Sequence, residues 1–167
     1  MRILYVEDNP ANVFLVKRVA KMGNHEVISF VDGAEALARF RAVNPDLVLM
    51  DIQISGELNG LEVVRRLRAE GVETPIVAVT AYAMVGDRER CLEAGCDDYM
   101  AKPLPIPQLV QMIQHYAQKT PARLSTSERL AVAVLQETPP ADAKPPSTAK
   151  QERNAGSASQ EALSSTD

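Results

Sequence analysis

The sequence predicts a doubly wound α/β domain, a parallel sheet with helices on both faces. Three observations carry the prediction. Short apolar runs recur through residues 1–120, segments of helical period separate them in strict alternation, and the polar residues able to do chemistry fall where the runs end. The first run, Ile3-Leu4-Tyr5-Val6, reads as a strand, and Val13, Val16 and Ala20 give the helix after it one apolar face. Val27-Ile28 marks a second strand, followed by a helix carrying Leu37 and Phe40. Leu47-Val48-Leu49-Met50 is the third strand, and Leu61, Val64, Leu67 and Arg68 line the third helix. Ile76-Val77-Ala78-Val79 is the fourth strand, and the alternation requires a helix between it and a weaker fifth strand at Asp98 to Ala101. Leu109, Val110, Ile113 and Tyr116 define the last helix, with Pro107 suited to its first turn. Near-continuous apolar strands are the mark of a parallel sheet covered on both faces.

Length and composition limit the rest. At 167 residues the chain has room for one domain and an appendage. The 18 Lys+Arg against 22 Asp+Glu leave a net charge of -4, so no basic footprint for nucleic acid or an anionic membrane is present. Glu7 and Asp8 stand where a secretory signal would be basic and then apolar, and no run approaches the ~20 apolar residues of a membrane span, so a cytoplasmic protein is expected. Cys91 and Cys96 are a single pair without the second pair of a zinc module, and buried free thiols are expected. His25 and His115 lie in no nucleophile motif and read as ordinary surface or helix-face residues.

Ligands of open α/β sheets bind beyond the carboxyl ends of the strands, near the point where strand order reverses. Here the first strand runs into Glu7-Asp8-Asn9, the third into Asp51, the fourth into Thr80-Ala81 and the fifth into Lys102-Pro103. Asp8 alone would be read as a loop carboxylate or helix cap; four strand ends carrying this set together are not so dismissed. Two carboxylates about 4 Å apart repel by roughly 4 kcal/mol at an effective dielectric of 20, so three acids with one lysine remain an anionic pocket. A divalent cation relieves it, and all-oxygen ligands match Mg²⁺, with Mn²⁺ as the alternative, rather than zinc. Lys102 as a point charge and Thr80 as a hydroxyl donor suit phosphate oxygens. The chemistry expected is phosphoryl transfer onto a carboxylate, with Asp51 as nucleophile.

The stretches Val6-Glu7-Asp8-Asn9, Leu49-Met50-Asp51-Ile52-Gln53, Val79-Thr80-Ala81 and Tyr99-Met100-Ala101-Lys102-Pro103 resemble, in order, the receiver domain of two-component response regulators. The resemblance covers about residues 1–119 and implies a flavodoxin-like sheet of five strands in the order 2-1-3-4-5 flanked by five helices. It implies that Asp51 accepts a phosphoryl group from a histidine kinase or phosphotransfer protein. It implies too that Glu7, Asp8, Asp51 and the backbone carbonyl of Gln53 hold Mg²⁺, and that Lys102 binds the phosphoryl group. Thr80 and Tyr99 would be the switch residues, and a downstream protein would be met on the face of the fourth helix, fifth strand and fifth helix. The family's Lys-Pro peptide is typically cis, which is expected of Lys102-Pro103. The runs Ala81-Tyr82-Ala83-Met84 and Gly95-Cys96-Asp97-Asp98-Tyr99 are most similar to stand-alone regulators of the cell-division and chemotaxis type and to receivers of hybrid kinases. The resemblance thus implies a switch rather than an enzyme, acting through phosphorylation-dependent protein contacts or as a phosphorelay intermediate.

After the acceptor the family usually reads Met-Pro-x-Met-Asp-Gly, whereas Ile54-Ser55-Gly56-Glu57-Leu58-Asn59-Gly60 lacks the Pro and is one residue longer. A looser loop is expected, with Glu57 read as a solvated acid in preference to a further carboxylate near the metal. A haloacid-dehalogenase-like phosphatase would also use an aspartyl nucleophile, but it wants a second Asp where Gln53 stands. A pseudo-receiver would have lost an acid or the lysine, and both are kept.

Beyond Glu137 the only Val, Ile, Leu, Met or Phe is Leu163, so residues 138–167 cannot bury enough apolar area to offset their ordering entropy and are expected to be a disordered tail. Residues 120–137 read as a linker, with a short helix over Arg129 to Gln136 after the capping box Ser125-Thr126-Ser127-Glu128. Truncation after about residue 122 is expected to leave the melting midpoint almost unchanged; a large drop would show that Leu130, Val134 and Leu135 dock on the domain.

Overall fold

The computed structural model describes residues 1–81 and 86–120. The expected linker helix and tail lie outside the described residues. Within them, strands and helices alternate: β1 (Arg2–Val6), α1 (Pro10–Met22), β2 (Glu26–Phe30), α2 (Gly33–Val43), β3 (Leu47–Asp51), α3 (Gly60–Ala69), β4 (Ile76–Thr80), α4 (Asp87–Glu93), β5 (Asp98–Ala101) and α5 (Ile106–Lys119). All neighbouring strands pair in parallel, in the order β2-β1-β3-β4-β5, which is the doubly wound sheet expected from the sequence.

The two-residue period of a strand sorts the core into two layers. Ile3, Tyr5, Leu47, Leu49, Val77 and Val79 face one way, onto Val16 and Ala20 of α1 and Leu109 and Ile113 of α5. Leu4, Val6, Val48, Met50, Ile76 and Ala78 face the other, onto Phe40 of α2, Val64 and Leu67 of α3 and Cys91 of α4. β3 and β4 are buried along their whole length, as their unbroken apolar runs require. From β1 the chain turns to β2 on one side, and from β2 it crosses to β3 on the other, so the order reverses between the carboxyl ends of β1 and β3.

The helices start at that same edge, and α1, α2 and α3 are capped there by side chains of their own sequence. Asn9 accepts from Ala11 N at 2.9 Å and Pro10 opens α1. Asp32 accepts from Glu35 N at 2.8 Å ahead of α2. Asn59 and Glu62 form a reciprocal capping box at α3, with distances of 2.9 and 3.0 Å. Pro107 falls in the first turn of α5.

Cys91 and Cys96 are buried and free, and burial pushes the Cys96 thiol up to about 12, as for an inert core thiol. His115 is exposed and meets Tyr116 edge-on. His25 is only partly covered, yet its Nδ1 is buried without a partner among the described residues, and burial together with the nearby N-terminal ammonium holds its pKa below the ordinary value.

Arg68 does more than its place on the apolar side of α3 implies. Its Nε donates to Gly95 O at 2.8 Å and its Nη1 to Val72 O and Thr74 O at 2.6 and 2.9 Å. Nη2 donates to Asp97 Oδ2 at 2.8 Å, and the same oxygen accepts from Ile76 N at 2.7 Å. One guanidinium thereby ties α3 to the amino ends of β4 and β5. Arg68→Met keeps the chain length and removes every donor, leaving carbonyls unpaired. It is expected to destabilise the fold by about 2–3 kcal/mol, read as a lower urea midpoint with an unchanged slope.

Candidate functional site

Glu7 continues β1 by one residue, its N–H donating to Phe30 O at 3.0 Å. Alternation puts Tyr5 and Glu7 on the same face, and the Tyr5 hydroxyl donates to Glu7 Oε2 at 2.6 Å. Glu7 is fully buried. Its Oε1 also accepts from Asn9 N at 3.2 Å and from Asn12 Nδ2 at 3.1 Å, so a costly buried carboxylate is met by donors on both oxygens. The same neighbourhood drives the Tyr5 hydroxyl pKa upward, chiefly through burial and then through its bond to Glu7. Tyr5 is therefore a neutral donor.

Asp51 ends β3 and is 2% exposed. Its Oδ1 accepts from Gln53 N at 2.9 Å and its Oδ2 from Lys102 Nζ at 2.6 Å. Burial raises the Asp51 pKa, and Lys102 and the Gln53 amide pull against that rise without cancelling it. Lys102 also reaches Glu7, at 2.8 Å from Oε2 and 3.0 Å from Oε1. Burial works to lower the Lys102 pKa, but its hydrogen bonds to Asp51 and Glu7 outweigh burial and leave it raised. It is a fixed cation at neutral pH, bridging two carboxylates.

Asp8 completes the cluster. Ligand oxygens of Glu7, Asp8 and Asp51 lie within 4.8 Å of one another, Asp8 exposed and the other two buried. Three carboxylates facing one ammonium leave a site of oxygen donors with surplus negative charge, the donor set of a hard divalent cation. The Lys102-Pro103 peptide is cis. Lys102 N donates to Thr80 O at 2.6 Å, which brings the ends of β4 and β5 together. Thr80 is buried at the end of β4, opposite Ala101. Tyr99, opposite Ala78, is partly buried against the α2–α3–α4 layer. The Gln53 side chain is exposed.

The loop from Ile52 to Asn59 departs from the looser segment its sequence suggests. Ile54 and Leu58 are buried, and Ser55 donates to Asp8 Oδ2 through Oγ at 2.8 Å and N at 3.3 Å. Its far end is equally constrained, because a Cβ on Gly60 would lie 2.0 Å from the Asp51 carbonyl oxygen. Glu57 is exposed and stands outside the group of converging carboxylates. Sequence reasoning missed Tyr5, Asn12 and Ser55. The spacing of Tyr5 and Glu7 along a strand was a usable signal; for Asn12 and Ser55 only the folded loops show the contact.

Fold and site together define a receiver domain of two-component signalling. Residues 3–114 match the family described as the response regulator receiver domain, and the chain belongs to it. Polar-differentiation response regulators DivK of Brucella ovis and of Brucella abortus strain S19 are each 40% identical over 116 residues, covering 68% of this chain and 94% of theirs. Among solved structures, the receiver domain of sensor histidine kinase PA1611 from Pseudomonas aeruginosa, with a magnesium ion coordinated in its active site cleft, is 36% identical over 70% of this chain and 97% of its own, with a TM-score of 0.63. The Francisella response regulator 1452 receiver domain shares the fold at 23% identity, covering 71% of this chain and 98% of its own, with a TM-score of 0.66. No described helix is long and apolar enough to cross a membrane.

Removing the bridging cation should expose the strain it relieves. Lys102→Met is expected to destabilise the protein by about 3 kcal/mol at neutral pH without added metal, because two buried carboxylates lose their partner. Adding Asp51→Asn should recover part of that loss, a coupling read from urea melts of the two single variants and the double variant.

Proposed function

We propose that the protein is a phosphorylation-controlled switch whose acceptor is Asp51, loaded by the phosphohistidine of a histidine kinase or histidine phosphotransfer protein. The observation that supports this best is the setting of Asp51, buried, hydrogen-bonded on both oxygens and facing Lys102 and two further carboxylates. In the transfer, a carboxylate oxygen of Asp51 attacks phosphorus, the phosphorus–nitrogen bond breaks, and the imidazole leaves carrying the electron pair. Lys102 neutralises charge on the phosphoryl oxygens, and Glu7 holds Lys102 in place. Glu7, Asp8, Asp51 and the Gln53 carbonyl would hold Mg²⁺, whose positive charge supports the transferring group; Mn²⁺ suits the same oxygen donors.

Phosphorylation replaces one carboxylate charge with about two on a larger group. The Thr80 hydroxyl moves toward it, Tyr99 turns inward, and the face of α4, β5 and α5 changes for a downstream protein. Moving such an equilibrium from 1:99 to 99:1 takes about 5.5 kcal/mol, more than one hydrogen bond supplies. Partner binding therefore contributes to the switch. The likeness to a receiver that belongs to a sensor kinase favours a second role, passing the group on to a histidine phosphotransfer protein. Either role is played in the cytoplasm, without nucleic acid or membrane as a partner.

Incubation with a small phosphodonor and Mg²⁺, followed by mass mapping, tests the assignment. Asp51→Asn is expected to abolish labelling with the fold intact, and Asp8→Asn to slow labelling while weakening its dependence on Mg²⁺. A second residue labelled in comparable yield in the wild type, or undiminished labelling in chelator, would overturn it.

A further inference from the structure

Among the three acids of the site, Asp8 alone is exposed, so packing does not fix its carboxylate. Its hydrogen-bond donors among the described residues both come from Ser55, and both go to Oδ2, at 2.8 Å from Oγ and 3.3 Å from N. Ser55 is itself held from either side. Ile54 is 6% exposed, and Gly56 adopts φ +128°, where a Cβ would lie 2.5 Å from Asp32 Oδ2. The family's usual motif has Pro at this place, a residue with neither a hydroxyl nor an N–H to offer.

We infer that Ser55 is a positioning residue for the Asp8 carboxylate and sets how tightly this site takes a divalent cation. The inference rests on reading Glu7, Asp8 and Asp51 as the metal site. A carboxylate that ligates through one oxygen is oriented by hydrogen bonds to the other, and outer partners of this kind typically carry about 10–100-fold in metal affinity. With both Ser55 donors on Oδ2, Oδ1 has no partner among the described residues and is the oxygen available to the cation. The longer, Pro-less loop thus acts as a strap from the acceptor strand to the acid that follows β1.

Calorimetric titration of Mg²⁺ into the full chain, with no phosphodonor present, tests this. Ser55→Ala keeps the N–H and loses the hydroxyl, and is expected to weaken Mg²⁺ binding about tenfold, the low end for such partners because Asp8 is exposed. Ser55→Thr restores the hydroxyl and is expected to bind as the wild type does, while Ser55→Pro, lacking both donors, binds more weakly than Ser55→Ala. Melts in chelator should be the same for Ser55→Ala and wild type; a lowered melt would make the affinity loss a folding effect and overturn the inference. Equal or tighter binding by Ser55→Ala, or a loss shared by Ser55→Thr, would also overturn it. Wild-type binding that is lost in Asp8→Asn yet kept in Ser55→Ala sinks the inference alone, whereas a wild type that binds no Mg²⁺ sinks the metal reading with it.

Discussion

The bridge from Lys102 to Asp51 and Glu7, at 2.6 and 2.8 Å, is the interaction on which the rest of the site depends. Two carboxylates buried side by side are tenable only with a cation between them, and an ammonium taken out of water is tenable only with anions around it. Such an arrangement is weak evidence for stability, since well-packed apolar residues would do as well. The bridge holds Asp51 by a hydrogen bond and keeps Lys102 charged, and the excess of acids over bases leaves a surplus of negative charge of the kind that suits a hard cation.

Everything around the bridge serves to hold it at the sheet edge. The reversal of strand order between β1 and β3 opens the crevice, and the caps Asn9, Asp32 and Asn59 start their helices beside it. Tyr5 reaches out of the α1–α5 core layer to satisfy Glu7, so an apolar layer and a charged site share one side chain. The approach of Gly60 to the Asp51 carbonyl fixes where α3 begins relative to Asp51.

Much of this was legible in the sequence, for definite reasons. The unbroken apolar runs of β3 and β4 announce burial on both faces, and the polar residues that end the strands converge because parallel strands share one carboxyl edge. Glu7, Asp8, Asp51 and Lys102 could be named that way. Contacts between segments distant in the chain could not. Ser55 with Asp8, and Arg68 with Gly95 and Asp97, are separated by 47, 27 and 29 residues and leave no periodic trace. The longer, Pro-less sequence after Asp51 predicts a looser loop; Ile54, Ser55 and Leu58 anchor it by burial and hydrogen bonding instead.

Arg68 and Asp97 sit at the opposite end of the sheet from Lys102, and they tie the feet of β4 and β5 to α3. A strand clamped at its foot cannot slide along its neighbour, and a slip by one residue would turn its core-facing side chains outward. The clamp therefore pins the hydrogen-bond register between Val77–Thr80 and Asp98–Ala101 from the foot upward. In mechanical terms the guanidinium is a rivet at the end of the sheet away from the charges, and the Lys102 amide bonded to the Thr80 carbonyl is a second one at the far end.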